Sequence, residues 1–272
     1  MTFFERILAD VRTEITDAKA LRSEKDLRAK IAAAPPVRDF AAALSGGFGL
    51  IAEIKKCSPS MGFMRPENVQ DAAAAYEASS LVRAISVLTN RTHFGMRVED
   101  LERIRAAVSK PVLRKDFILE EYQILEARAF GADAILLMAN VLNADQLKMF
   151  YSCACDLGME VLFEVHTAEE IEMLPTGVRV CGINSRKFKS DTGFLKEGET
   201  ATKDFTLDMS VFDLAKLLPK NSVRVAESGL TPKNIREFAN GFDAALVGTS
   251  LLRDEEGIHA CLKGFETAFA AA

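Results

Sequence analysis

Short apolar runs rich in Val, Ile and Leu recur along the chain: GLIAEIK (49–55), RAISVL (83–88), PVLRK (111–115), DAILLM (133–138), EVLFEV (160–165), RVCGIN (179–184), SVRVAE (222–227) and DAALVG (243–248). Runs of this length and make-up predict eight strands. Between them the apolar positions return at helical spacing, as in PENVQDAAAAYEAS, EEYQILEARAF, NADQLKMFYSCACDLG and TPKNIREFANG. Helix punctuation agrees with this division. Asn143 stands where an N-cap belongs before a helix closed by Gly158, and Thr231-Pro232 opens another closed by Gly241. The segments GADAILLM and GFDAALVG also repeat one order: a glycine, Asp-Ala, then a strand.

Strand followed by helix, eight times over, predicts a parallel sheet covered by helices. A TIM (β/α)8 barrel of about 250 residues accommodates eight such units. A doubly wound open sheet usually has fewer strands and a GxGxxG turn after the first of them. GGFG at 46–49 precedes its strand and so lies on the wrong side. Residues 1–45 come before the first strand and place Phe4, Ile7, Leu8, Val11 and Ile15 on one helical face, with a break at Pro35-Pro36. They read as an N-terminal helical extension packed on the barrel. The expected organisation is a single α/β domain over 1–272, with 1–45 as the extension and 187–208 as an insertion after the sixth strand.

Composition narrows the function classes. The chain has 272 residues, 49% of them hydrophobic, enough for a sizeable core. Its net charge of −5 gives no general attraction to nucleic acid or to an anionic membrane, so an anionic substrate needs local cations. The longest apolar run is far shorter than the ~20 residues of a membrane-spanning helix, and MTFFERILAD lacks the regions of a signal peptide. A cytoplasmic location is the expectation. Five scattered cysteines without a CxxC pair, and three distant histidines (His93, His166, His259), point away from disulfides and from a bound metal.

The polar residues that interrupt the strands carry the chemistry. In IAEIKKCSPSMG (51–62), alternation turns Ile51, Glu53 and Lys55 to one face. Burying a carboxylate and an ammonium inside a barrel costs on the order of several kcal/mol unless a site uses them. Later strands end in Lys115, Glu164, Asn184 and Glu227. The C-terminal strand ends are where barrels of this kind place their active sites. The loops ESGL and GTSL after the seventh and eighth strands offer backbone N–H groups to an anion, and Ser58 and Ser60 beside Pro59 add hydroxyls.

These blocks resemble a known family, indole-3-glycerol phosphate synthase. AEIKKCSPSMG is similar to the family's AExKxxSPSxG, and PVLRKDFI, GADAILL, GMEVLFEVH, GINSR, VAESG and ALVG-x-SL follow in family order over about 49–252. The resemblance implies a TIM barrel with an N-terminal extension, and a carboxy-lyase of tryptophan biosynthesis. The reaction it implies closes the pyrrole ring of 1-(2-carboxyphenylamino)-1-deoxyribulose 5-phosphate with loss of carbon dioxide and water, without metal or cofactor. It implies a phosphorylated small-molecule substrate as the partner; with the charge balance above, neither nucleic acid nor membrane is expected, and the chain is expected to be a monomer.

The resemblance also implies residue roles. Lys115 corresponds to the general acid of ring closure, its pKa lowered by a nearby lysine; Lys55 with Glu53 serves the dehydration; Glu164 stabilises positive charge or accepts a proton. Asn184 and Glu227 hold the sugar hydroxyls. Arg186 and Lys55 face the substrate carboxylate. Ser58, Ser228, Gly229, Gly248 and Thr249 surround the phosphate, and Pro59, Phe94, Phe117 and Leu136 line the anthranilate slot. The loop LTNRTHFGM (88–96) departs from the family pattern, with His93 and Phe94 as its aromatic pair. Residues 187–208 read either as a mobile lid or as a solvated insertion, and their charge favours the insertion.

Two rivals stand beside this reading. A phosphoribosylanthranilate isomerase-like enzyme pairs an early-strand Cys with an Asp, and Cys57 has no evident Asp partner. A non-catalytic phosphate-binding barrel should lack an acid or base, whereas Glu53, Lys55, Lys115, Glu164, Asn184 and Glu227 are all present.

Overall fold

A computed structural model describes residues 2–188 and 205–270. Its centre is a closed barrel of eight strands: β1 (Gly49–Ile54), β2 (Val82–Leu88), β3 (Val112–Lys115), β4 (Ala134–Met138), β5 (Glu160–Val165), β6 (Val180–Asn184), β7 (Val223–Glu227) and β8 (Ala244–Val247). Every neighbouring pair is parallel, and β1 closes the ring by pairing with β2 on one side and β8 on the other. The strands fall on the eight apolar runs because β-branched and leucine side chains fill both the barrel interior and the layer beneath the helices. Strands β1, β4 and β5 are buried along their whole length.

Three helices precede the barrel: α1 (Phe3–Leu21), α2 (Glu24–Ala32) and α3 (Phe40–Leu44). Reciprocal capping boxes, Thr2 with Glu5 and Ser23 with Asp26, open the first two. The face of α1 expected to be apolar buries Ile7, Val11 and Ile15, while Phe4 and Leu8 are half-buried. Phe4 meets Phe117 edge-on at 6.1 Å, so α1 is seated over the end of β3.

The repeated Gly, Asp-Ala order has a shared structural use. Asp133 accepts a hydrogen bond from the Val112 N–H at the start of β3, and Asp243 accepts one from the Arg224 N–H in β7. In each case an aspartate entering one strand satisfies a backbone donor of its neighbour.

Two expectations need correction. Residues 231–241 form turns around a short 3-10 segment (Ile235–Glu237) instead of an α-helix. The Asn234 side chain accepts from the Thr231 N–H and donates to the Gly229 carbonyl, which ties the segment to the loop before it and competes with helical bonding. Within 187–208, the two ends are not a solvated loop: Arg186–Phe188 and Phe205–Leu207 pair as an antiparallel ribbon, and the central part of the expected insertion, 189–204, lies outside the described residues. No helix among the described residues is long and apolar enough to cross a membrane.

Candidate active site

A cavity of about 410 Å³ opens at the C-terminal ends of the strands. Its floor is built from residues near the C-terminal ends of alternate strands. Glu53 at the end of β1 lies opposite Ser86, Lys115 at the end of β3 opposite Leu88, Glu164 of β5 between Met138 and Gly182, and Glu227 at the end of β7 beside Asn184. Parallel strands of similar length bring these ends to one rim, which is why polar residues far apart in sequence meet there.

Glu53, Lys55, Glu164 and Glu227 are all nearly inaccessible, between 1% and 6% exposed. Their partners are one another. The Lys55 ammonium lies 2.5 Å from Glu53 Oε1. Lys115 Nζ lies 3.3 Å from Glu164 Oε2 and 3.7 Å from Glu227 Oε2. Asn184 hydrogen-bonds Glu164 with its side chain and accepts the Arg186 N–H at 3.0 Å. The Arg186 guanidinium donates to Ser60 Oγ at 2.6 Å, joining the loop after β1 to the loop after β6.

This arrangement divides the titratable groups. Burial and then the charge of Glu164 hold the Glu227 carboxyl well above its ordinary value, so it is the neutral member of the pair. Burial also acts on Glu164, but the charges of Lys115 and His166 and the Asn184 hydrogen bond outweigh it and keep that carboxyl below its ordinary value. For Glu53 the charges of Lys55 and Lys115 outweigh burial in the same way. Two carboxyls pushed in opposite directions mark a proton donor and a proton acceptor.

The lysines divide too, and here the sequence expectation is corrected. Lys115 is not lowered: burial acts to push it down, but the surrounding Glu164, Glu227 and Glu53 leave it above the usual lysine range. The lowered lysine is Lys55, where burial outweighs the attraction of Glu53. Lys115 is therefore the lysine that stays protonated more firmly, and Lys55 the one that gives up its proton more readily.

The walls match the expected substrate contacts with one exception. Pro59, Phe94, Phe117, Leu136, Arg186, Ser228, Gly229, Gly248 and Thr249 all line the cavity. Ser58 does not: it is buried in the short hairpin Cys57–Phe63, and Ser60 takes its place on the wall. Of the aromatic pair in the loop after β2, Phe94 lines the cavity, while the His93 ring turns to Asp10 on α1, 3.0 Å away. Cys57 faces the His93 carbonyl and is no part of the lining, which removes the nucleophile an isomerase reading would need.

In the loop after β7, expected to face the phosphate, Ser228 and Gly229 both adopt positive φ, 71° and 74°. Such a conformation costs about 1–3 kcal/mol in a non-glycine residue and marks Ser228 as held there by its surroundings. Ser185 Oγ and Asn234 Nδ2 donate to the carbonyls of Ser228 and Gly229, which turns those carbonyls to the fold and away from an anion. Gly248 then leads into the short helix Thr249–Leu252, whose first N–H groups have no partner within the helix.

Several lining residues were not foreseen. Ile7 of α1 and Leu207 of the ribbon after β6 both reach the cavity, so the extension and the segment expected to be an insertion each contribute a wall. Gly182 and Gly248 act by having no side chain: a Cβ would lie 2.0 Å from Glu227 Oε1 in the first case and 2.4 Å from Glu53 Oε1 in the second. Nothing in a strand's apolar pattern signals such a requirement. Among the described residues no group of three or more His, Cys, Asp or Glu is arranged to hold a metal ion.

Comparison with known proteins gives the family. The family model described as indole-3-glycerol phosphate synthase matches residues 4–262. The indole-3-glycerol phosphate synthase of Kineococcus radiotolerans is 40% identical over 268 residues, covering 94% of this chain and 92% of that one. Its counterpart from Rhodococcus jostii is 40% identical over 258 residues, covering 93% and 90%. Among solved structures, one described as a native KDPGal structure aligns with a TM-score of 0.52 at 16% identity, over 82% of this chain and 94% of that one, a likeness of fold alone.

Proposed function

The chain belongs to the indole-3-glycerol phosphate synthase family, and on that premise we propose how its cavity carries out the reaction. The protein is a carboxy-lyase of tryptophan biosynthesis that closes the indole ring of 1-(2-carboxyphenylamino)-1-deoxyribulose 5-phosphate, releasing carbon dioxide and water. The observation that carries the residue assignment is the position of Lys115, held as a cation between an ionised Glu164 and a neutral Glu227 on the cavity floor.

In the first step the aryl carbon bearing the carboxylate attacks the ribulose carbonyl carbon. The carbonyl electron pair moves to oxygen, where the Lys115 ammonium stabilises the negative charge and supplies the proton that makes it a hydroxyl. The bond to the carboxylate then breaks, carbon dioxide leaves, and its electron pair restores the aromatic ring. In the last step the hydroxyl departs as water, taking its proton from Lys55, the lysine whose proton is less tightly held. The nitrogen lone pair assists, and Glu164 balances the positive charge that results and removes the ring-carbon proton. Glu53, 2.5 Å away, holds the Lys55 ammonium in place before it gives up its proton.

Glu227 and Asn184 hold the sugar hydroxyls, Glu227 as a neutral hydrogen-bond donor. Arg186 faces the anthranilate carboxylate. The ring lies among Pro59, Phe94, Phe117 and Leu136, and the phosphate at the loop of Ser228 and Gly229 and the turn from Gly248 to Thr249. The described residues of one barrel domain line this cavity, and we read the chain as a monomer with one domain over 1–272 and its N-terminal extension. The place of the family in amino-acid biosynthesis supports a cytoplasmic location, and the chemistry above uses neither metal nor cofactor.

The test is direct, because the chain has no tryptophan to mask the product. Purified protein is mixed with the substrate without added metal, and indole fluorescence and carbon dioxide are followed together. Equal amounts of both are expected; binding of the substrate without indole formation would overturn the assignment.

A further inference from the structure

His166 follows β5 two residues after Glu164 but is not part of the cavity lining. It stands behind the catalytic carboxylate. Its Nε2 lies 3.6 Å from Glu164 Oε1, and both atoms are buried with no hydrogen-bond partner among the described residues. Its Nδ1 lies 3.3 Å from Glu170 Oε2, and the same oxygen accepts the His166 backbone N–H at 2.6 Å. Glu170 is fixed in turn, since its N–H donates to Thr167 Oγ at the start of the helix Ala168–Glu172. A carboxylate thus sets the ring from outside, while the ring faces a second carboxylate inside.

We infer that His166 is a positioning residue for ring closure: Glu170 orients its imidazolium, which faces Glu164 Oε1 and holds that carboxylate ionised with Oε2 directed at Lys115. Without it, Glu164 would share one cation, Lys115, with Glu227 and Glu53, and protonation of Glu164 would become easier. The inference rests on the role given to Glu164 above and deepens it by naming what keeps that residue an anion.

Charge on the ring is set by three groups besides burial: Glu170 on its own loop, Glu164 on β5, and Lys115 on β3, which opposes the other two. Burial pushes the imidazole down, but the Glu170 hydrogen bond and the two carboxylate charges leave it above its ordinary value. The protonated ring is therefore favoured over that of an ordinary histidine, and it is lost as pH rises through the raised value. Turnover should fall on that limb.

The experiment compares pH profiles of kcat and kcat/KM for wild type, His166→Gln, His166→Phe, Glu170→Gln and Glu164→Gln, each checked by circular dichroism and by affinity for the indole-3-glycerol phosphate product. The His166→Phe variant should lower kcat about tenfold with KM little changed and remove the alkaline limb. His166→Gln introduces a donor that does not titrate, and should recover part of kcat with the limb still absent. Glu170→Gln should keep the limb and move it to lower pH; this variant serves even where a change at position 166 prevents folding. Wild-type kcat and an unmoved limb in all three, beside an inactive Glu164→Gln, would overturn the inference alone. A fully active Glu164→Gln would instead remove the assignment on which it rests.

Discussion

Gly182 on β6 leaves the space that Glu227 on β7 occupies: a Cβ at 182 would lie 2.0 Å from Glu227 Oε1. Gly182→Ala must therefore displace the carboxyl, since the other near contacts are also fixed in the barrel. A shift of about 1 Å at a reacting centre can cost on the order of 100-fold in rate. We expect kcat to fall to that extent with the barrel still folded, and steady-state kinetics beside a melting curve check it. Wild-type kcat would mean that Glu227 has room to move.

The state of Glu227 makes a prediction about stability. Its carboxyl is raised in the folded protein, so as pH climbs above about 4.3 the unfolded chain releases a proton that the native state retains. Stability from this group is thus lost with rising pH. Glu227→Gln, neutral throughout, should melt higher than wild type at pH 7, and the gap should narrow towards pH 4. Its turnover should nevertheless fall. Thermal melts across this range decide the matter; a Gln variant that melts lower at pH 7 would contradict a neutral Glu227.

The foot of the barrel gives an independent stability prediction. Asp133 is fully buried, accepts the Arg38 and Val112 N–H groups at 2.8 Å each, and pairs with Arg105 at 2.9 Å. Asp133→Ala strands a buried guanidinium and two backbone donors, which costs about 3–5 kcal/mol. Tm should fall by roughly 10 °C. The KM of whatever remains folded should be unchanged, because Asp133 lies away from the cavity lining.

A prediction for the phosphate end uses Gly248. Inorganic phosphate bound there should raise Tm of the wild type, by about 2.7 kcal/mol of stability at 100 times its Kd. In Gly248→Ala the added methyl meets Glu53 Oε1 at 2.4 Å, and both the turn and the carboxylate must shift. The phosphate-induced rise in Tm should shrink or vanish. An undiminished rise would place the phosphate elsewhere.

Most of the fold and the polar floor were legible in sequence. The strands declared themselves because barrel strands are largely apolar on both faces, so Glu53, Lys115, Glu164, Asn184 and Glu227 stood out near the ends of GLIAEI, PVLRK, EVLFEV, RVCGIN and SVRVAE. What stayed hidden depends on neighbours across the sheet. Whether Lys115 or Lys55 is the lowered lysine depends on Glu164 and Glu227, which approach Lys115 from β5 and β7. Of the aromatic pair His93 and Phe94, sequence spacing does not show that Asp10 of α1 draws the His93 ring away from the cavity. The helix expected at 231–241 failed on a single side chain, Asn234, whose bonds to Gly229 and Thr231 favour the turn. Gly182 gave no sign at all, since its contribution is the absence of an atom.

The central claim is that Lys115, fixed between Glu164 and Glu227, is the acid of ring closure. Lys115→Ala tests it most directly, with single-turnover indole formation measured beside affinity for indole-3-glycerol phosphate. The expected result is a loss of rate of roughly 100-fold to 10,000-fold with product affinity retained within a fewfold. Wild-type rate in a folded Lys115→Ala protein would contradict it.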